Sequence, residues 1–123
     1  MPSKLEFPRK YRLAKKLDFQ AVFDQRHKFG RRYALVRYRR NELPHARLGI
    51  MISKSQVKLA TTRNRLRRVI RESFRHHQES LKGLDLVVII RSECTLLTKK
   101  MWREDFDKLW QALAKSLQLS SST

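Results

Sequence analysis

Three things are scarce in this sequence: cysteine, acidic residues and long hydrophobic segments. The single cysteine, Cys94, cannot form an internal disulfide, and no second cysteine offers metal-ligand spacing. The longest apolar run covers only residues 86–90, whereas a membrane span needs about 18 apolar residues. No N-terminal apolar stretch resembles a signal peptide. We therefore expect a cytoplasmic protein with no membrane partner.

The shortage of acids leaves a large positive charge. Lysine and arginine total 29 against 11 aspartates and glutamates, which gives a formal net charge of +18. Hydrophobic residues make up 41% of the chain and aromatic residues 9%, more than a disordered basic tail contains. Because self-repulsion of this size destabilises a compact monomer, we expect a polyanionic partner, and nucleic acid is the first candidate.

The length of 123 residues fits one domain, with a basic arm over residues 1–12 and a polar tail over 118–123. Hydrophobic periodicity and helix start and stop signals predict three helices, at about 18–26, 62–80 and 99–118. The chain contains no internal sequence repeat. A single domain with amphipathic helices is therefore expected.

Three further segments have strand-like composition: residues 33–38, 47–53 and 86–90. Residues 41–44 supply a turn between the first two, which predicts a β-hairpin. The third segment is apolar throughout, which is typical of a central strand covered on both faces. An additional short strand is expected near residues 11–13 or 53–56. The expectation is an α+β fold, a two-layer sandwich of three helices on a sheet of about four strands.

The second helix carries the clearest functional signal. On a helical wheel its core face gathers Leu66, Val69, Ile70 and Phe74. The opposite side and its flanks gather Asn64, Arg65, Arg67, Arg68, Arg71 and Arg75. Residues 63–75 hold six arginines and a single acid, Glu72. Like charges four residues apart destabilise a helix, so an ordinary solvated face explains this pattern poorly. Arginine grips phosphate through two hydrogen bonds, and the pattern predicts a nucleic-acid contact.

Residues 63–75, with the letters RNRLRRVIRESFR, resemble the "RNR" signature helix of the bacterial ribonuclease P protein family. Weaker matches follow in the family's order at residues 7–13, 18–23, 47–54, 85–89 and 109–110. The resemblance covers about residues 7–113. It implies a fold like the second domain of ribosomal protein S5, with a left-handed βαβ crossover. General handedness statistics favour the opposite hand, so this expectation comes from the resemblance alone.

The resemblance also implies a mechanism. Ribonuclease P removes the 5′ leader of precursor tRNA, and in bacteria the catalytic groups and Mg²⁺ belong to the RNA subunit. The protein would bind that RNA and the leader, with no cofactor of its own and no obligate protein partner. The residues expected against the RNA subunit are Arg63, Asn64, Arg65, Arg67, Arg68, Arg71 and Arg75.

A leader-binding cleft is expected between the first helix and the sheet. Phe19 and Phe23 match its aromatic positions and Lys54 a basic one, the combination that holds single-stranded RNA. Both phenylalanines could equally be core residues. Val36 stands where some relatives have an aromatic, and Tyr38, two residues on, is expected to replace it on the same face.

Two other functions and two other sites are alternatives to this interpretation. A structural ribosomal RNA-binding protein fits the size and charge equally well, whereas a helix-turn-helix DNA-binding factor would need a helix just before the arginine helix. His76 and His77 point about 100° apart on a helix and cannot chelate one metal ion. Glu104, Asp105 and Asp107 lie early in a helix, where acids favour the dipole, so they do not suggest a nuclease centre. No catalytic residues are expected in this chain.

Overall fold

A computed structural model describes residues 8–25 and 27–121, with side chains up to residue 117. Its helices are α1 (Lys16–Asp24), α2 (Ala60–His76) and α3 (Lys99–Ser121). Its strands are β1 (His27–Gly30), β2 (Ala34–Arg40), β3 (Arg47–Met51) and β4 (Leu84–Ile90). The predicted α+β fold of three helices and a four-stranded sheet is confirmed. Within these residues no helix is both long and apolar enough to cross a membrane.

The third helix, predicted at about 99–118, extends three residues further. Residues 118–121 of the expected polar tail are part of α3, which ends at Ser121. Residues 122–123 of that tail, and residues 1–7 of the predicted basic arm, lie outside the described residues. The rest of the arm contains a short 3₁₀ turn, Arg9–Tyr11, which ends beside the sheet.

The sheet has the strand order β1-β2-β4-β3. The predicted hairpin between residues 33–38 and 47–53 is therefore wrong, because β4 lies between those two strands, antiparallel to β2 and parallel to β3. The continuous apolar sequence of β4 requires cover on both faces, and it lies between the main core on one face and the cluster around Val22 of α1 on the other. The true hairpin joins β2 to the edge strand β1, which the sequence pattern did not reveal. Since β3 and β4 are joined through α2, the expected βαβ unit is present.

Strand alternation divides the sheet residues between two cores. Val36, Leu48 and Val88 face α2 and α3 and belong to the main core. Val87 and Ile89 face the other way, towards α1, in a smaller cluster with Leu13 and Val22. Helices α2 and α3 thus form the expected second layer, and α1 adds a partial cover on the opposite face. This partial cover leaves one side of the sheet open beside α1.

A buried carboxylate ties the central strand to its neighbours. Asp85 of β4 is fully buried and accepts hydrogen bonds from Arg47 (2.7 and 2.8 Å), Asn41 (2.9 Å) and Arg39 (3.2 Å). Arg47 also lies 3.6 Å from Asp18 in the first turn of α1. Burial alone would raise the pKa of Asp85, but the hydrogen bonds from Arg47 and Asn41 and the nearby arginine charges outweigh it and lower that pKa. The network links β2, β3, β4 and α1.

A second polar network joins α2 to α3. Ser73 is fully buried, donates a hydrogen bond to Asp107 and accepts one from the indole of Trp110 at 3.0 Å. The Asp107 carboxylate also accepts from Arg103 at 3.3 Å. Because each buried polar atom of this group is paired, the two helices are held in one register. The arginine-bearing surface of α2 therefore has a fixed position relative to α3.

Candidate nucleic-acid interface

The predicted faces of α2 are confirmed. Leu66, Val69, Ile70 and Phe74 are all buried, with exposed fractions from 0 to 7%. Asn64, Arg65 and Arg68 are exposed on the other side, and their side chains have no partner in the described part of the chain. Apolar residues at helical spacing thus anchor the helix and turn its polar side outward.

The other predicted residues of this surface differ in their contacts. Arg63 donates to the carbonyls of Val57 (2.8 Å) and Lys58 (2.9 Å), which fixes the segment leading into the helix. Arg75 donates to Glu72 at 3.0 Å. Arg67 and Arg71 are half-buried. The structure therefore places Asn64, Arg65, Arg67, Arg68 and Arg71 on one surface, hereafter the arginine face, with Arg63 at its start and Arg75 at its end.

A cluster of like charges extends the arginine face towards the sheet. Burial lowers the pKa of Arg71, and the positive charges of Arg12 and Arg67 lower it further. A pocket of about 290 Å³ lies here, with Arg12 and Arg71 on its wall and Phe19 and Gly49 among its other lining residues. Arg12 belongs to the expected basic arm, but its place beside Arg71 was not predicted, because it depends on a bridge between the N-terminal segment and Leu48.

The open side of the sheet beside α1 forms a cleft. Phe19 and Phe23 of α1 are half-buried against the small core cluster, so part of each ring remains accessible. The register aligns Leu35 and Met51 with Ile89 on the same sheet face, and 42% of Met51 is exposed. We call this surface the α1 cleft. Exposed Lys54 follows in the turn after β3, three residues beyond Met51.

Two predicted cleft residues do not reach it. Val36 is fully buried in the main core, and Tyr38 stacks on His27 with ring centroids 5.5 Å apart. Both project towards the α2–α3 side, because they alternate along β2 with the cleft-facing residues. Arg37 points into the cleft instead, donates to the Phe23 carbonyl at 2.8 Å and lies 5.2 Å from the centre of that ring. Leu35 and Arg37, rather than Val36 and Tyr38, are thus the candidate contacts from β2.

Gly49 lets α1 lie close to the sheet. A Cβ at this position would be 2.7 Å from Phe19 Cζ and 2.8 Å from Phe19 Cε1. We expect Gly49→Ala to displace the Phe19 ring and lower the free energy of unfolding by about 1–3 kcal/mol, as overpacking usually does. Urea denaturation followed by circular dichroism measures this loss. Gly30→Ala is the matched control, because its Cβ would meet only Leu35 at an ordinary 3.8 Å. Equal stability of the two variants would contradict the prediction.

The described residues contain no group of three or more histidines, cysteines, aspartates or glutamates placed to hold a metal ion. Asp107, one of the three acids in the early part of α3, is engaged by Ser73 and Arg103. Burial raises the pKa of Cys94 to about 12, with a further contribution from the Asp105 carboxylate. Cys94 is therefore a neutral core residue at physiological pH.

Three comparisons relate this chain to known proteins. The family model described as Ribonuclease P matches residues 7–114. A ribonuclease P protein component from Pseudomonas aeruginosa is 46% identical over 112 residues, covering 90% of this chain and 83% of the relative. One from Aliivibrio fischeri is 38% identical, covering 89% and 94%.

Solved structures show the same fold. The ribonuclease P protein of Staphylococcus aureus superimposes with a TM-score of 0.77 at 31% identity, covering 84% of this chain and 94% of that one. The ribonuclease P protein of Thermotoga maritima superimposes with a TM-score of 0.72 at 31% identity, covering 82% of this chain and 96% of that one. The residues that the family model matches include α2 and the residues of the α1 cleft.

Proposed function

The chain belongs to the ribonuclease P protein family, and from this premise we propose that its arginine face binds the RNA subunit of ribonuclease P while the α1 cleft binds the 5′ leader of precursor tRNA. Members of the family are components of a ribonucleoprotein endonuclease that processes tRNA. In this proposal the catalytic groups and the Mg²⁺ ions belong to the RNA subunit. The complex assembles in the cytoplasm. The protein contributes affinity and positioning.

The observation that carries this proposal is the exposed arginine face. Asn64, Arg65 and Arg68 have no side-chain partner in the described part of the chain, and the helix that presents them is fixed by its buried side. The helix that carries these forked cations is already fixed, so their backbone positions need no ordering when they meet the phosphates of a folded RNA. If about six cations neutralise phosphates, affinity falls with a log–log salt slope of roughly −4 to −5.

The α1 cleft suits the leader for a different reason. Phe19 and Phe23 offer partly exposed rings on which unstacked bases can stack, and Leu35 and Met51 extend the apolar floor. Lys54 in the turn after β3 and Arg37 inside the cleft supply positive charge for the backbone. Aromatic rings combined with cations bind single-stranded RNA with little dependence on base identity, which suits a leader whose sequence differs between tRNAs.

Reconstitution tests the proposal. Mixed with a bacterial ribonuclease P RNA at a Mg²⁺ concentration too low for that RNA alone, the protein is expected to increase cleavage of precursor tRNA. Arg65→Ala is expected to weaken binding of the RNA about tenfold or more, because a hydrogen bond to a charged group contributes roughly 1.5–3 kcal/mol. Cleavage is measured with end-labelled substrate and binding by filter retention.

Two comparisons make that experiment decisive. Arg40→Ala removes the same charge from an exposed site at the end of β2 and is expected to bind like the wild type. Precursors with a long leader are expected to gain more from the protein than precursors with a single leader nucleotide. A ribosomal RNA-binding protein would give no gain in cleavage, and that result would reject the proposal.

A further inference from the structure

A second basic surface lies beside the arginine face, in a groove between α2 and the start of α3. Its volume is about 470 Å³, and Val69 lines it together with charged side chains. These charged residues are Arg68, Glu72, Lys99, Lys100 and Arg103. Four cations and one carboxylate thus face a single groove, which we call the α2–α3 groove.

The charges of this groove are not balanced within the described chain. The Glu72 carboxylate is engaged by Arg75 at 3.0 Å and by His76 at 3.3 Å. Arg103 is paired with Asp107 at 3.3 Å. Arg68, Lys99 and Lys100 are exposed and have no hydrogen-bond or ion-pair partner among the described side chains. Three cations from two helices therefore converge without an internal counterion.

The two lysines are poorly placed for the stability of their own helix. They occupy the first turn of α3, which begins after Thr98, whose hydroxyl accepts the Met101 N–H at 3.3 Å. The start of a helix carries positive partial charge, so cations there are unfavourable. The first turn of α3 holds no acidic residue to offset them. Helix stability does not account for Lys99 and Lys100, whereas an external anion does.

The α2–α3 groove is continuous with the arginine face, and this continuity indicates which anion the groove binds. Arg68 belongs to both surfaces, and Arg65 lies one turn before it on the same helix. The register of α2 against α3 is fixed by the bond from Ser73 to Asp107, so the groove is preformed. We propose that the α2–α3 groove binds a phosphate of the RNA subunit and extends the contact of the arginine face onto α3. This inference rests on the proposed function.

The test removes the groove lysines and measures the salt dependence of RNA binding by the full chain. Lys99→Ala combined with Lys100→Ala is expected to reduce the log–log salt slope by about 1–2, because each lost phosphate contact changes it by about 0.9. At roughly 0.15 M salt this corresponds to about a 5- to 30-fold weaker affinity for a bacterial ribonuclease P RNA. The matched control combines Lys108→Ala and Lys115→Ala, which remove the same charge from other exposed positions of α3.

The outcomes separate this inference from the function on which it rests. A lower slope in the groove variant with an unchanged slope in the control supports the α2–α3 groove as an RNA contact. If both double variants lower the slope equally, the effect is one of net charge and the inference is rejected. If the groove variant matches the wild type while Arg65→Ala still weakens binding, the inference fails and the proposed function stands. If the wild type itself does not bind the RNA, both fail.

Discussion

Phe74→Ala is expected to lower the free energy of unfolding by about 3–5 kcal/mol, the usual cost of removing a fully buried aromatic ring. Phe74 is 0% exposed and packs edge-on against Trp110, with ring centroids 5.8 Å apart. Since a domain of this size has only about 5–15 kcal/mol of total stability, the variant is expected to unfold at a much lower urea concentration. Tryptophan fluorescence follows the transition directly.

Arg65→Ala on the exposed side of the same helix is the control for this measurement. An exposed substitution of this kind normally changes stability by less than about 0.5 kcal/mol. The pair separates the two roles of α2, because Phe74→Ala changes folding and Arg65→Ala changes RNA binding. Comparable losses of stability in the two variants would show that the assignment of the two helix faces is wrong.

That assignment is the part of the structure that the sequence predicted best. The spacing of Leu66, Val69, Ile70 and Phe74 defines a stripe at the helical period, and burial of such a stripe is a local consequence of periodicity. The composition of β4 likewise predicted a central strand. Both inferences needed only neighbours along the chain, since hydrophobic pattern determines which face of an element is covered.

The errors concern contacts between distant segments. The turn at residues 41–44 suggested a hairpin, but pairing both β2 and β3 with β4 covers the most apolar strand on both edges. Placing β4 there also decides which face of β2 meets α1, so Val36 and Tyr38 were assigned to the wrong side. Arg37 was missed as a cleft residue for the same reason. The place of Arg12 beside Arg71 was not predicted either, because it depends on the bridge between the N-terminal segment and Leu48. The alternation of side chains along a strand shows which residues share a face, but it does not show which other element packs against that face.

We expect the buried Asp85 carboxylate to stabilise the sheet beside the α1 cleft. Through Arg47, this carboxylate is connected to Asp18 at the start of α1, while Arg39 and Asn41 connect it to β2 and the turn after it. Removing one partner of a buried ion pair usually costs about 3–5 kcal/mol. Arg47 keeps Asp18 as a partner and both arginines retain partial exposure, so we expect Asp85→Asn to cost about 3 kcal/mol, near the lower end of that range.

The same carboxylate predicts how stability depends on pH. Because the pKa of Asp85 is lower in the folded protein than in the unfolded chain, protons bind the unfolded state more readily in acid. The contribution of Asp85 is fully present above the unfolded pKa of about 3.9 and is lost as the pH falls through the lower folded pKa. This contribution is measured as the difference in unfolding free energy between the wild type and Asp85→Asn, obtained by urea denaturation at several pH values.

We expect that difference in unfolding free energy to be constant near neutral pH and to shrink below about pH 4. Asn41→Ala serves as a comparison, because it leaves the charge of Asp85 paired with Arg47 and Arg39. It removes the hydrogen bond to Asp85 and those that the Asn41 amide makes with the His45 carbonyl and the Leu43 N–H. Its loss of about 1–3 kcal/mol is expected to change less with pH, because the substitution removes no titrating group. A wild-type advantage over Asp85→Asn that stayed constant into strong acid would mean that the charge of Asp85 does not stabilise the fold. The attachment of α1 to the sheet would then depend on apolar packing around Val22 and Val87 and on the hydrogen bond from Arg37 to the Phe23 carbonyl.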